Sequence, residues 1–265
     1  MKSSRTQGPK AAKPAPAKTS ARNAGKPGKS VRAGAGDPVL TEGGFSLEPV
    51  FQAARRQVPA AGQAEMAEFL GQFYRRLLED EYPQHPPQAW AAIGVGMLGF
   101  ARKRKPGSAN VRVFNPTLND DGWESQYTVL QIVNDDMPFL VDSVSMALAE
   151  MGVGVHVLGH PLVRMSRDAA GKLQAVGEGK AESLMLLEFD RQVPAAMRAI
   201  EQRVGEVLAQ VRAVVADWGR MRERMQVLAD DLATRRMPVE DGVRRESQEF
   251  LRWAAADHFT LYGYR

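Results

Sequence analysis

The stretch Tyr127-Thr128-Val129-Leu130-Gln131-Ile132-Val133 constrains the fold most. It is a nearly continuous apolar and β-branched run, too short for a helix of average length and without the alternation of a half-exposed strand. Such a run predicts a buried strand. Asn134-Asp135-Asp136 and Pro138 follow, and read as a helix start: a carboxylate or amide cap, then proline in the first turn. Leu140, Val144, Ala147, Leu148 and Met151 share the buried face of that helix, and Gly152 closes it.

Val153 to Val163 predicts the next strand, Arg167-Asp168-Ala169-Ala170-Gly171 a turn, and Ser183 to Phe189 another strand. Ile200, Val204, Val207, Leu208 and Val211 mark a helix from about Pro194 to Trp218. The order is strand, helix, strand, strand, helix, most of a βαββαβ unit. The expected class is therefore α+β, a ferredoxin-like antiparallel sheet with helices on one face. The last strand has two candidates: the extended end 258–265, or 110–115, where Val111, Val113 and Asn115 alternate with Arg112 and Phe114.

Helical spacing dominates before the sheet. Val50, Phe51 and Ala54 start one stripe, and Met66, Phe69, Leu70, Phe73, Leu77 and Leu78 a second. Tyr82-Pro83 and Pro86-Pro87 break the chain. Trp90, Ile93, Met97 and Phe100 form a third stripe, ending in Arg102-Lys103-Arg104-Lys105, whose charge complements a helix C-terminus. Further helices are expected at about 220–234 and 238–256. The expected organisation is a disordered basic tail (1–37), a helical segment (45–106), an α+β domain (109–218), and a helical connector with the start of a truncated following domain (219–265).

Residues 1–36 hold nine Lys or Arg, between Lys2 and Arg32, and no acid. Removing those nine from the chain's 35 Lys and Arg leaves 26 against 31 Asp and Glu, a net of −5 for the body. Nucleic acid is thus expected as a partner only through the tail. Almost no large apolar residue lies in 1–37, so burial cannot offset the entropy of ordering it. The absence of cysteine excludes disulfides, thiolate metal sites and cysteine nucleophiles, and is compatible with a reducing cytoplasm. No secretory h-region is present, and the longest apolar run, Ala89 to Phe100, is too short to span a bilayer, so no membrane partner is expected.

Few motifs carry chemistry. Gly94-Val95-Gly96-Met97-Leu98-Gly99 fits G-x-G-x-x-G, but a dinucleotide loop needs a preceding strand, and this one sits in a helical stripe. A close helix contact is the better reading. His156 and His160 share a strand face, without the third ligand that zinc needs. Asn134, Asp135 and Asp136 read first as a cap. They also read as a strand-to-helix loop able to hold a small polar ligand or an interface, together with Pro138, Asp142 and Ser143. Asp142 lies opposite Leu140 and Val144, toward solvent or an interface. No P-loop and no Gly-x-Ser-x-Gly occurs, so the chemistry predicts a binding or structural segment.

The stretch from Gln131 to Val144, QIVNDDMPFLVDSV, resembles the N-terminal region of the large NAD-specific glutamate dehydrogenases of bacteria. So, in the same order, do His160-Pro161, the turn 167–171, Glu182-Ser183 and the end His258 to Arg265, where Tyr262 replaces the usual leucine or methionine. The resemblance covers roughly 45–265. It implies an ACT-like module in a cytoplasmic enzyme of amino-acid catabolism that oxidises L-glutamate to 2-oxoglutarate and ammonia with NAD. It implies no catalytic residue and no cofactor in this chain, which is expected to be a fragment. The implied partners are the rest of the dehydrogenase polypeptide, further copies in a homo-oligomer, and an amino-acid effector. Ligand-binding ACT domains often carry glycine just after the loop proline. Phe139 stands there instead, which favours assembly over sensing. Two other readings stay open: a free-standing ACT-like amino-acid binder, and a basic-tailed nucleic-acid binder.

Overall fold

The structure, a computed structural model, describes residues 46–75, 85–236 and 238–263. The expected disorder of 1–37, the stripe positions Leu77 and Leu78, and the Tyr82-Pro83 break lie outside these residues. The described residues all belong to one compact unit.

Three helices come first: α1 (Glu48–Gln57), α2 (Gln63–Tyr74) and α3 (Pro87–Ala101). The sheet and its helices follow as β1 (Asn110–Phe114), the short α4 (Leu118–Asp121), β2 (Thr128–Asp135), α5 (Leu140–Glu150), β3 (Val155–Gly159), β4 (Leu162–Arg167), β5 (Leu173–Val176) and β6 (Lys180–Phe189). The chain ends in α6 (Pro194–Thr234), α7 (Asp241–Trp253) and a single π turn, Ala254–His258.

All strand pairings are antiparallel, in the order β1-β2-β6-β4-β5, and β3 pairs with the second half of β6. β2 is an interior strand, paired with β1 and β6, and both its faces are apolar. Val129 and Val133 meet the helical layer α1–α3, while Leu130 and Ile132 meet α5 and α6. The expectation of helices on one face is thus corrected: a period-two strand with apolar residues at both parities needs two covers. The second cover is the N-terminal helical layer, through Phe69, Leu70, Phe73 and Ile93.

Of the two candidates for the last strand, 110–114 takes the place, pairing with β2 from Asn110–Val133 to Phe114–Val129. Residues 259–263 form no strand. Val153–Val163 is two strands, not one. Pro161 has no N–H for a ladder, and its carbonyl accepts from Leu184 N at 3.0 Å instead. β3 and β4 therefore pair with successive halves of β6.

The helix expected to end near Trp218 runs unbroken through Gly219 to Thr234. A lone glycine costs a helix about 1 kcal/mol, too little to end one that is packed elsewhere. The first half of α6 covers the sheet with Ile200, Val204 and Leu208, and the second half lies along α7.

Candidate functional site

β2, β4 and β6 bring their charged ends to one corner of the sheet. Glu182, near the start of β6, is 3% exposed. Its carboxylate accepts from Arg167 Nε at 2.6 Å and Nη2 at 2.8 Å, a bidentate pair across the β4–β6 ladder. Arg104, from the segment after α3, is 4% exposed and reaches the same carboxylate at 3.1 and 3.3 Å. It also donates to Asp135 at 2.6 Å and to the carbonyl of Ser108 at 2.8 Å. From the opposite side, Arg212 of α6 donates to both Asp135 and Asn134. One cluster of three guanidiniums and two carboxylates thereby ties α3, the sheet and α6 together.

The pairing sets the protonation of each member. Burial pushes Asp135 up, but hydrogen bonds and charge from Arg104 and Arg212 more than reverse it, leaving the carboxyl below its ordinary value. Burial opposes ionisation of Glu182 too, and Arg167 and Arg104 likewise hold it low. For Arg104 burial favours the neutral form, and Glu182 and Asp135 outweigh that, raising it. All three stay charged at neutral pH.

Asp135 and Arg104 also line a cleft of about 770 Å³ with Asp136, Arg167, Asp168 and Lys180. The cleft offers both signs of charge. Among the described residues no cluster of His, Asp and Glu could hold a metal ion.

The expected cap does not form. Asn134 and Asp135 are the last residues of β2, spent on Arg212 and Arg104, and the N-cap position of α5 falls to Phe139 without a side-chain cap bond. Phe139 has φ +71°, in the left-handed region, so the loop keeps a glycine-like backbone on an aromatic residue. Pro138 precedes the helix and is exposed, as are Asp136 and Asp142. Ser143 is half-buried, and its backbone N–H bonds the Phe139 carbonyl at 3.0 Å. Only Asn134 and Asp135 of the six candidate residues enter the cluster.

The G-x-G-x-x-G run lies wholly within α3. A Cβ on Gly94 would meet Leu70 of α2 at 2.2 Å, whereas Gly96 and Gly99 face open space, so the close helix contact belongs to Gly94 alone. His156 pairs with Asp190 at 2.7 Å and His160 meets Ser183 Oγ at 2.5 Å, so the two histidines serve separate contacts.

Sequence reasoning missed Arg212 entirely and took Arg104 for a dipole complement. A charge heading an apolar strand, Glu182, was the visible signal that basic partners must converge there.

Residues 69–204, just over half of the chain, match the family model for the glutamate dehydrogenase ACT1 domain. The match begins in α2, so it includes part of the helical layer as well as the sheet. The NAD-specific glutamate dehydrogenase of Halomonas elongata is 35% identical over 211 residues, covering 76% of this chain and 13% of the relative. The enzyme of that name from Pseudomonas aeruginosa is 32% identical over 204 residues, 74% of this chain and again 13% of the relative. The chain thus spans a small part of the length of these relatives. No helix among the described residues is long and apolar enough to cross a membrane. By the motif order, the two-sided α+β sheet and the family match, the chain belongs to the glutamate dehydrogenase ACT1-domain family.

Proposed function

We propose that this chain is an N-terminal regulatory and assembly segment of an NAD-dependent glutamate dehydrogenase, working in the cytoplasm and inactive by itself. The parent reaction would convert L-glutamate, NAD and water to 2-oxoglutarate, ammonia and NADH, with NAD held outside this chain. One observation carries the reading: the charged end of the strand–helix loop is occupied from within. Asp135 is bound by Arg104 and Arg212, and Phe139 puts an aromatic side chain where a ligand would need bare backbone. That favours holding the molecule together over sensing an amino acid.

Purified 1–265 should show no NAD-dependent glutamate oxidation and no heat on calorimetric titration with L-glutamate and other amino acids. Within the parent polypeptide, Arg212→Ala should lower the yield of assembled active enzyme. Turnover by the isolated chain would overturn the non-catalytic reading, and binding lost on replacing Asp136 would make the cleft a sensor.

A further inference from the structure

The outer strands of a sheet carry N–H and C=O groups that point away from the ladder, and an extended chain can pair with them. β1 is such a strand, at one end of the strand order. Its register sets Val113 opposite Leu130 of β2. The Val113 N–H points away from β2, and donates to the Glu201 carboxylate of α6 at 3.1 Å. Glu201 follows Ile200, which is buried on the sheet. A helical turn of about 100° per residue carries its side chain round the flank of α6 to the β1 edge.

The opposite flank is closed in the same way, from the other helical layer. β5 pairs with β4 only from Met165 to Arg167, so the outward groups of Arg164 lie beyond its reach. The Arg164 N–H donates to Gln72 Oε1 of α2 at 2.8 Å, and the Arg164 carbonyl accepts from Gly177 N at 2.9 Å. Gln72 is fixed in turn by its own amide, which donates to Glu68 Oε1 one turn earlier at 2.7 Å. Both caps, Glu201 and Gln72, stand on helix positions outside the two hydrophobic cores.

An incoming strand offers neutral carbonyls. At Val113 it would have to displace a carboxylate, whose hydrogen bond to an N–H is the stronger one. That charge would then lie against the new strand. At Arg164 both ladder groups are already engaged. Pairing there would exchange two hydrogen bonds for two of the same kind, and the ordering of the added strand would go unrewarded.

We propose that Glu201 and Gln72 are edge caps that close both flanks of the sheet to strand addition, whether by a second copy or by another extended peptide. Any assembly contact of this module is thereby kept off the outer edges of β1 and β4. The caps act on the sheet itself, so they operate whether or not the chain regulates a dehydrogenase.

Amide hydrogen exchange on the full 265-residue chain, read residue by residue, tests each cap. Glu201→Ala should speed exchange at the Val113 amide by about tenfold and leave the Arg164 amide unchanged. Gln72→Ala should do the reverse. Glu201→Gln keeps an acceptor and should hold Val113 close to its wild-type rate. In sedimentation velocity at about 100 μM, the chain carrying both Gln72→Ala and Glu201→Ala should associate beyond whatever state the wild type has. Val113 and Arg164 amides that exchange alike in wild type and variants would overturn the caps. So would a double variant that sediments as the wild type does. Neither result bears on the regulatory and assembly reading, which is judged by the Arg212→Ala result in the parent enzyme.

Discussion

Glu182 shows how one residue can commit a fold. Its carboxylate lies beneath two guanidiniums, Arg104 and Arg167, with almost no water. Removing one partner of a buried ionic cluster leaves the others charged and dry, which costs about 3–5 kcal/mol. Glu182→Gln, which keeps the volume, should therefore lower the urea unfolding free energy by about 3 kcal/mol; a loss below measurement error would show the cluster to be ornamental. Phe139 is the opposite case, a residue the fold would exchange. A non-glycine residue in the left-handed region is strained by about 1–2 kcal/mol, and the side chain is 43% exposed. Phe139→Gly should raise the unfolding free energy by up to about 1 kcal/mol after glycine's greater unfolded-state entropy is subtracted. Phe139 was legible in the sequence as a bulky residue in a glycine's place, whereas Glu182 entered only as part of the family resemblance. Arg212 was not legible, because its partner Asp135 lies 77 residues away and nothing local marks it among the charges of α6.

At the scale of elements, Gly171 joins the helical layer to the sheet. The β4–β5 turn is built on Asp168, whose Oδ1 accepts from Ala170 N and Lys172 N at 3.0 and 2.9 Å. The Gly171 carbonyl then accepts from Arg104 N and Arg167 Nη1, both at 3.0 Å. Gly171 has φ +81°, and a Cβ there would lie 1.8 Å from the Arg104 carbonyl oxygen. Backbone, not a movable side chain, is the obstacle. Gly171→Ala should destabilise by more than about 2 kcal/mol and speed proton exchange at the Arg104 and Leu173 amides; unchanged exchange would mean the turn is not what holds the layers together. The turn itself was readable from Asp168 to Gly171, while its docking on Arg104 was not. Period alone gave most elements their place, since β2 and α5 follow the hydrophobic pattern. It failed where tertiary contacts override it: α6 continues through Gly219 because α7 packs along it, and Val153–Val163 divides because Pro161 cannot donate.

The stability of the whole molecule should be bounded at both ends of the pH scale, by groups on different elements. Asp135 and Glu182 have folded-state values below their unfolded ones. Their contribution is therefore complete above the unfolded carboxylate range, about pH 4, and is lost as pH falls through the depressed folded values. Tyr74 has the reverse sign. Burial beneath α3 raises it well above its ordinary value, against a smaller lowering from the Gly94 backbone, and its hydroxyl donates to the Trp90 carbonyl at 2.6 Å. Its contribution is present below the unfolded value of about 10 and disappears as pH rises toward the folded one. Unfolding free energy should thus be flat between about pH 5 and 9, falling on both sides. Two substitutions separate the limbs. Glu182→Gln should shallow the acid limb and leave the alkaline one, and Tyr74→Phe should do the converse, because phenylalanine has no proton to lose. Urea midpoints across the range decide it: if Glu182→Gln leaves the acid slope intact, the carboxylates that fail first lie elsewhere, and the cluster joining α3, the sheet and α6 is not the acid-sensitive joint of the molecule.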